Sequence, residues 1–256
     1  MSPTEQAHAR RTLLLAQAIE RAVPAPGEPF PCPYLSGRTA RNTTLLVSSY
    51  LPGVYHSLMD LNFRRLGHLF YRPRCDGCDA CRMIRVPVEE FRPSRAQRRC
   101  WTRNRDLSVE LGQPVLTDEK HELYGRYLSL RHDGTMDGSL QEFQRFLYTS
   151  SVETVEVVCR AGEKLVAVSV ADLEPLAMSA VYCYFEPYLP SRSLGTFNIL
   201  WMIEECRRRR LPYLYLGFFV RDCHQMRYKS NFLPCEILTP EGRWIRPGSS
   251  DTLSAS

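Results

Sequence analysis

Four cysteines, Cys32 and the run Cys75-Asp-Gly-Cys78-Asp-Ala-Cys81, lie beside or within the most arginine-dense stretch of the chain. Thiolates two residues apart can converge on one metal centre, because the intervening turn folds the backbone around the ion. The quartet is therefore a candidate zinc or iron–sulfur site; read otherwise, the same residues are reduced thiols that pack a loop. From Arg64 to Arg105 the chain carries twelve arginines against Asp76, Asp79, Glu89 and Glu90, although its net charge is only +5. That asymmetry predicts one basic face. Phe70, Tyr71, Phe91 and Trp101 interleave with the arginines and are able to stack on bases, so the expected partner is nucleic acid.

These residues need elements to hold them. Residues 5–22 read as an amphipathic helix with Leu15, Ala18, Ile19 and Ala22 on its apolar side. Five prolines between residues 23 and 37 keep the next segment extended, so Cys32 is presented from a stiff backbone. Pro52-Gly53 predicts a helix that runs through Leu66 and stops at Gly67. A short strand is expected at residues 84–88. Ser94 is placed to cap a helix reaching about Arg105, on which Arg95, Arg98, Arg99 and Arg103 form one stripe. Thr117-Asp118-Glu119 begins another helix with an acidic first turn. Ser139-Leu-Gln-Glu142 is a capping-box pattern for a third, and Asp133-Gly134 and Asp137-Gly138 mark the loop between them.

The second half changes character. Residues 155–160, 165–173 and 178–185 are closely spaced strand candidates whose turns at 161–163 and 174–175 predict an antiparallel meander. A helix is expected at residues 196–210, where Arg207–Arg210 complement the helix dipole. A buried strand at 212–217 and a basic helix at 222–230 follow. Tyr182, Tyr184, Tyr213 and Tyr215 alternate along strands, mostly as packing residues, although one hydroxyl could line an acyl pocket. Arg227-Tyr228-Lys229 offers cations to a carboxylate.

At 256 residues the chain forms one large or two small domains, divided here into 1–110 and 111–256. Hydrophobic residues make up 44% and charged ones 24%, an ordinary soluble profile. The apolar runs at 13–15 and 165–168 are far too short to span a bilayer. The N-terminus does not read as a signal peptide, and ten cysteines without an export signal predict reduced thiols and a cytoplasmic protein. Cys100, Cys159, Cys183, Cys206, Cys223 and Cys235 are expected as small buried apolar residues. His56, His68, His121, His132 and His224 show no mutual ligand spacing.

Meander, loop, helix and parallel strand follow one another in an order similar to the GNAT acyltransferases. The expected fold class is therefore α+β: a GNAT-like acyltransferase domain with a smaller cysteine-containing N-terminal domain. GNAT enzymes place an Arg/Gln-x-x-Gly-x-Gly/Ala turn before the helix so that backbone amides hold pyrophosphate. Here the run is Arg192-Ser-Leu-Gly195-Thr-Phe197, and Phe197 fills the last small-residue position. That departure argues against a CoA-dependent N-acyltransferase and leaves room for another acyl carrier.

Longer stretches carry a sharper resemblance. They are Cys32-Pro-Tyr-Leu-Ser-Gly-Arg-Thr-Ala-Arg41, Asn62-Phe-Arg-Arg-Leu-Gly67, Tyr71-Arg-Pro-Arg-Cys-Asp-Gly-Cys-Asp-Ala-Cys81 and Phe91-Arg-Pro-Ser-Arg-Ala-Gln-Arg-Arg99. Ser193-Leu-Gly-Thr-Phe197, Tyr213-Leu-Tyr-Leu-Gly217 and Met226-Arg-Tyr-Lys-Ser-Asn-Phe232 complete the set. Over about residues 30–240 the chain resembles the bacterial aminoacyl-tRNA–protein transferases, the aspartate/glutamate leucyltransferases, which are related to eukaryotic arginyltransferase. The resemblance implies transfer of leucine from Leu-tRNA to the α-amine of proteins beginning with Asp or Glu, which creates an N-degron for proteolysis. Arginine transfer is the alternative within the family, and a non-catalytic RNA-binding or metal-sensing module is the alternative outside it.

The aminoacyl ester is already activated, so no cofactor is needed for the chemistry. The enzyme must present a neutral amine, stabilise the tetrahedral oxyanion and return a proton to the ribose. Tyr182, Gly195 and Tyr228 are the expected catalytic residues, and Arg192, Ser193, Arg227 and Lys229 the expected substrate-binding ones. Arg95, Arg98, Arg99 and Arg103 are assigned to tRNA, and Cys32, Cys75, Cys78 and Cys81 to metal.

Overall fold

The computed structural model describes residues 3–22, 26–47, 52–131 and 137–247. The Asp133-Gly134 part of the expected loop lies outside them. Thirteen strands among these residues form three sheets. β1 (Phe30–Pro31) pairs with β2 (Thr39–Ala40). A three-stranded sheet has the order β3 (Asn42–Leu46), β5 (Leu69–Pro73), β4 (Arg64–Leu66). The large sheet uses β6 (Arg82–Pro87), β7 (Ser108–Gly112), β8 (Thr154–Ala161), β9 (Lys164–Glu174), β10 (Ala177–Phe185), β11 (Tyr213–Phe219), β12 (Glu236–Leu238) and β13 (Trp244–Ile245). Its order is β13-β12-β6-β11-β10-β9-β8-β7, antiparallel throughout except between β10 and β11. β6 and β7 come from the first 112 residues, so the division at residue 110 runs through this sheet.

The six helices are α1 (Pro3–Ala22), α2 (Val54–Asp60), α3 (Arg95–Arg103), α4 (Asp118–Arg131), α5 (Leu140–Phe143) and α6 (Leu194–Arg209). A π-helical turn, Gln144–Tyr148, continues α5, and a 3-10 segment, His224–Asn231, replaces the basic α-helix expected after β11. The meander β8–β9–β10, the crossing helix α6 and the parallel strand β11 make the fold α+β and GNAT-like. α3 and α6 pack on one part of the sheet over Phe91, Met178, Phe197, Ile203 and Leu214. α4 and α5 close the other side over Tyr124, Phe143 and Tyr184. No helix of the described residues is long and apolar enough to cross a membrane.

Two expectations need correction. The helix beginning at Pro52-Gly53 stops at Asp60, and residues 64–66 are a strand. Asn62 takes a left-handed φ of 65°, its side-chain amide donates to Cys81 O at 2.8 Å, and its carbonyl oxygen accepts from Met83 N at 2.8 Å. These bonds to β6 break the helix and turn the chain into β4, with Gly67 (φ 60°) as the hairpin turn and not a helix end. In α1, only Ile19 is buried; Ala18 and Ala22 are exposed because the helix touches the body along one narrow contact with α2.

The small sheet is fastened to the large one by Arg65. Its Nε donates to Asp172 Oδ2 at 2.7 Å, its Nη2 pairs with Asp172 Oδ1, and Nη2 also reaches Thr154 Oγ1 at 3.1 Å. Both charged side chains are inaccessible to solvent (1% and 0%), so each charge is compensated by the other, with hydrogen bonds from Arg65 to Thr149 O and Thr154 and from Thr154 to Asp172. Replacing one partner strands a buried charge, a loss of about 3–5 kcal/mol. Arg65→Met is therefore expected to lower stability by that amount in a denaturant titration. Arg65→Met with Asp172→Leu should recover most of it, because no charge is left uncompensated.

Candidate active site in the parting of the central strands

β10 and β11 pair only over Ala177–Ser179 and Tyr213–Tyr215. Beyond that point each strand is irregular: β10 shifts register against β9 between Ala180 and Tyr182, and β11 shifts against β6 between Tyr215 and Phe218. The strands part, and their backbone groups must find other partners. Arg64 supplies one. Its Nη2 donates to Val181 O at 3.0 Å, and its guanidinium lies 5.9 Å from the centre of the Phe218 ring. On the other wall, Gly217 has φ 77°, and a β-carbon built there would lie 2.7 Å from Arg64 Nη1. The backbone conformation favours a glycine, and any β-carbon there would displace the end of the Arg64 side chain.

Lys229 occupies the same gap. It is buried, and its Nζ donates to Phe218 O at 2.5 Å. Burial first, and then the neighbouring Arg64 charge, push its pKa down to about 7. Tyr34, Tyr55, Tyr71 and Tyr228 surround Arg64. Among the described residues neither Arg64 nor Lys229 makes a salt bridge, although ion pairs occur elsewhere throughout the chain. Tyr228 is 48% exposed and stands within electrostatic reach of Arg64 and Cys183, at the mouth of the gap.

The structure thus gathers Tyr228 and Lys229 but scatters other expected site residues. Arg227 is exposed, and among the described residues no side-chain partner joins it to Arg64 or Lys229. Tyr182 belongs to an aromatic cluster beneath α4, 5.0 Å from Phe146 and 6.1 Å from Tyr124, and burial raises its hydroxyl pKa far above the ordinary value. Arg192 is committed to Asp106 through two bonds of 2.9 and 2.8 Å. Ser193 has a left-handed φ of 52° and starts α6 without a side-chain hydrogen bond to its first turn. Gly195 follows there, where a β-carbon would meet Phe185 at 3.3 Å. Phe197 is buried against Trp101 at 5.5 Å and serves the core. Cys183 is half-buried, not fully buried as expected, because it faces the gap.

The arginine stripe is joined to the loop that begins α6 and, through Gln97 Nε2, which donates to Asn231 O at 3.1 Å, to the segment that carries Lys229. Ser94 and Gln97 form a capping box for α3 (2.8 and 3.2 Å), and Arg95, Arg98, Arg99 and Arg103 are all exposed. On the opposite side of the helix, Asn104 Nδ2 donates to Arg192 O at 2.7 Å, Cys100 Sγ approaches the same oxygen at 3.6 Å, and Arg103 reaches Ser191 O. The stripe and the loop that begins α6 move as one piece.

Cys32, Cys75, Cys78 and Cys81 line a separate cavity of about 830 Å³. Burial, and then the other three thiols, raise Cys81 to about 12. Among the described residues the quartet does not form a set of ligand atoms within 4.8 Å of one another. A tetrahedral zinc site needs sulfurs about 3.8 Å apart, from Zn–S bonds of ~2.3 Å, so the thiols surround a wider centre or must close on a single ion. The trio that does meet that spacing is His8, His56 and Asp60. It is filled by hydrogen bonds: His8 Nε2 to Asp60 Oδ2 at 2.8 Å, His56 Nε2 to Tyr215 Oη at 3.0 Å, and Tyr215 Oη to Asp60 Oδ1 at 2.5 Å. Arg85 donates to the same Tyr215 oxygen, and burial keeps His56 neutral with a pKa near 3.

The comparisons with known proteins cover both halves. Residues 30–99 match the family described as "Arginine-tRNA-protein transferase, N terminus", and residues 119–239 match "Arginine-tRNA-protein transferase, C terminus". A protein of Hahella chejuensis named "Aspartate/glutamate leucyltransferase" is 41% identical over 220 residues, 84% of this chain and 93% of that protein. One of the same name from Alkalilimnicola ehrlichii is 42% identical over 84% of this chain and 91% of its own length. Among solved structures, FemX aligns over 77% of this chain and 69% of its own with 9% identity and a TM-score of 0.48.

Arg64 and Gly217 escaped the sequence reading, although a glycine inside an apolar strand pattern signals a bulge or a close approach. The gap makes one property measurable at once. Lys229 is expected to titrate near pH 7, against the ordinary 10.5, when its side-chain carbon shift is followed by NMR in lysine-labelled protein. A transition near 10 would mean that its amine is solvated or paired.

Proposed function

Because the chain belongs to the arginine-tRNA-protein transferase family, and its curated relatives are named aspartate/glutamate leucyltransferases, we propose that it moves leucine from Leu-tRNA to the α-amine of proteins beginning with Asp or Glu. The product's new N-terminal leucine marks it as an N-degron, and the reaction belongs to the cytoplasm, where charged tRNA is made. The observation that supports this reading best is the attachment of α3 to the loop before α6. A polyanion lying on Arg95, Arg98, Arg99 and Arg103 is thereby held beside the start of α6 and, through the bond from Gln97 to Asn231, beside the segment that carries Lys229.

Each residue then has work set by its chemistry. The incoming amine arrives as an ammonium and is unreactive until it loses a proton. Lys229, neutral through burial and the Arg64 charge, takes that proton. The amine adds to the ester carbonyl, the C–N bond forms, and the negative charge on the carbonyl oxygen is stabilised by the first-turn amides of α6 beside Ser193 and Gly195. As the C–O bond to ribose breaks, Lys229 returns its proton to the ribose oxygen and accepts the second proton of the nitrogen. One proton is released to solvent overall. Tyr228, at the mouth, packs against the arriving chains.

The cysteine quartet is proposed as a structural metal centre that ties the segment from Cys32 to the knuckle at Cys75–Cys81. Cys32 N donates to Arg38 O at 2.9 Å and Cys75 Sγ to Arg41 O at 3.8 Å, which already brings the two segments together. Bound there, zinc or an iron–sulfur cluster would supply cross-linking and no step of the transfer.

The direct test is incubation with Leu-tRNA and peptides beginning with Asp, Glu or Ala, followed by mass measurement. Leucine is expected on the acidic peptides without ATP or CoA; faster arginine transfer would change the amino acid assigned, and equal labelling of the Ala peptide would end the acidic reading. In the same assay, reversing Arg95, Arg98 and Arg99 to Glu should raise the KM for tRNA and flatten the salt dependence of binding by about 2 to 3 in log–log slope. Anaerobically prepared protein should carry near-stoichiometric zinc or iron, lost in Cys78→Ser with a lower melting temperature. No metal and an unchanged melting temperature would leave four packing thiols.

A further inference from the structure

Arg64 is the group in this chain best suited to read a carboxylate inside the gap, and we propose that it binds the acidic side chain of the acceptor's first residue. The assignment rests on the proposed function and deepens it by naming the residue that sets its specificity.

A guanidinium carries five N–H donors in a fixed planar fork. Arg64 directs one of them to Val181 O and lays its face towards Phe218. Burial pushes the hydroxyl pKa of the neighbouring Tyr34, Tyr55 and Tyr228 up, so they stay uncharged, and among the described residues no carboxylate pairs with Arg64. Arg65, one residue on, shows what this chain does with an arginine meant for structure: it is sealed in a bonded pair with Asp172. Adjacent residues of a strand point to opposite faces, so the same β4 sends one arginine into the body and the other into the gap. Arg64 remains half-buried. A partly desolvated, unpaired fork favours a planar anion over water, and a carboxylate matches it through two parallel bonds.

The walls are fitted to this side chain. Gly217 yields the volume that a β-carbon would take from Arg64 Nη1, and the irregular pairing of β10 leaves Val181 O free to orient the fork. The two rivals for the role are weaker. Arg227 is exposed, so water screens its charge, and Lys229 is spent on Phe218 O with its charge suppressed. Arg64 and Lys229 divide the acceptor between them: the permanent cation holds the side-chain carboxylate while the neutral amine faces the α-nitrogen.

The experiment compares kcat and KM for Asp-, Asn- and Ala-initiated peptides with Leu-tRNA, in wild type, Arg64→Gln and Arg64→Lys. In Arg64→Gln the Asp-to-Ala ratio of kcat/KM is expected to fall about a hundred-fold, the scale of a lost desolvated charge pair. The fall should appear in the KM for the Asp peptide, with the KM for tRNA unmoved. Arg64→Lys, which keeps the charge but not the fork, should recover part of the ratio. An Asp-to-Ala ratio equal to wild type in either variant overturns the assignment, as does a change confined to the KM for tRNA, which would give Arg64 to the nucleic acid. Should Arg64→Gln fail to fold, Arg64→Lys decides alone: an equal loss on all three peptides rejects the carboxylate role. Absence of leucine transfer to Asp by wild type would instead reject the proposed function itself.

Discussion

The buried bond between Arg65 and Asp172 is the constraint on which the arrangement depends. It joins a strand of the small sheet to the second strand of the meander, across more than a hundred residues of sequence. Neither charge has water to fall back on, so the pairing admits little variation in position. Strand geometry does the rest. With Arg65 fixed, Arg64 must face the other way, and a slip of one residue would exchange the two. The position of Arg64 in the gap is thus inherited from an ion pair on the opposite face of its strand.

A second rigid link serves the side that carries the arginine stripe. α3 is short, but its start is fixed by a reciprocal capping box and its end by Asn104, whose amide bridges Cys100 O and Arg192 O. The sequence motif beginning at Arg192 looked like a phosphate-binding turn. In the structure its arginine is spent on Asp106, and its last residue, Phe197, is part of the core beneath α3. What the turn retains is a helix start free of any side-chain cap. It positions backbone amides without bringing a charge of its own.

Local signals were legible where local energetics decide the outcome. The cap at Ser94, the acidic first turn at Asp118, the meander and the strand at Tyr213 all appear where the residue pattern places them. The family resemblance was legible as well, because its motifs are long, and the matches to both family halves bear it out. What failed was the stretch after Asp60. Its apolar spacing suits a helix, yet Asn62 bonds to β6, which lies some twenty residues on, and the helix ends. Arg64 was unreadable for a related reason. Two consecutive arginines look alike in sequence, and only the distant Asp172, Val181 and Gly217 distinguish them. The polar chain from His8 through Asp60 and Tyr215 to Arg85 joins four separate elements and leaves no spacing to detect.

α1 has a consequence of a different kind. Twenty residues long, it buries only Ile19, is held to α2 chiefly through the His8–Asp60 contact, and contributes Ala16, Ile19 and Glu20 to the wall of the cysteine cavity. A helix with so little apolar contact detaches at a small fraction of the free energy needed to unfold the sheet. Four thiols that are already partly open to solvent therefore lose one wall of their cavity whenever that helix frays, while the large sheet behind them stays folded.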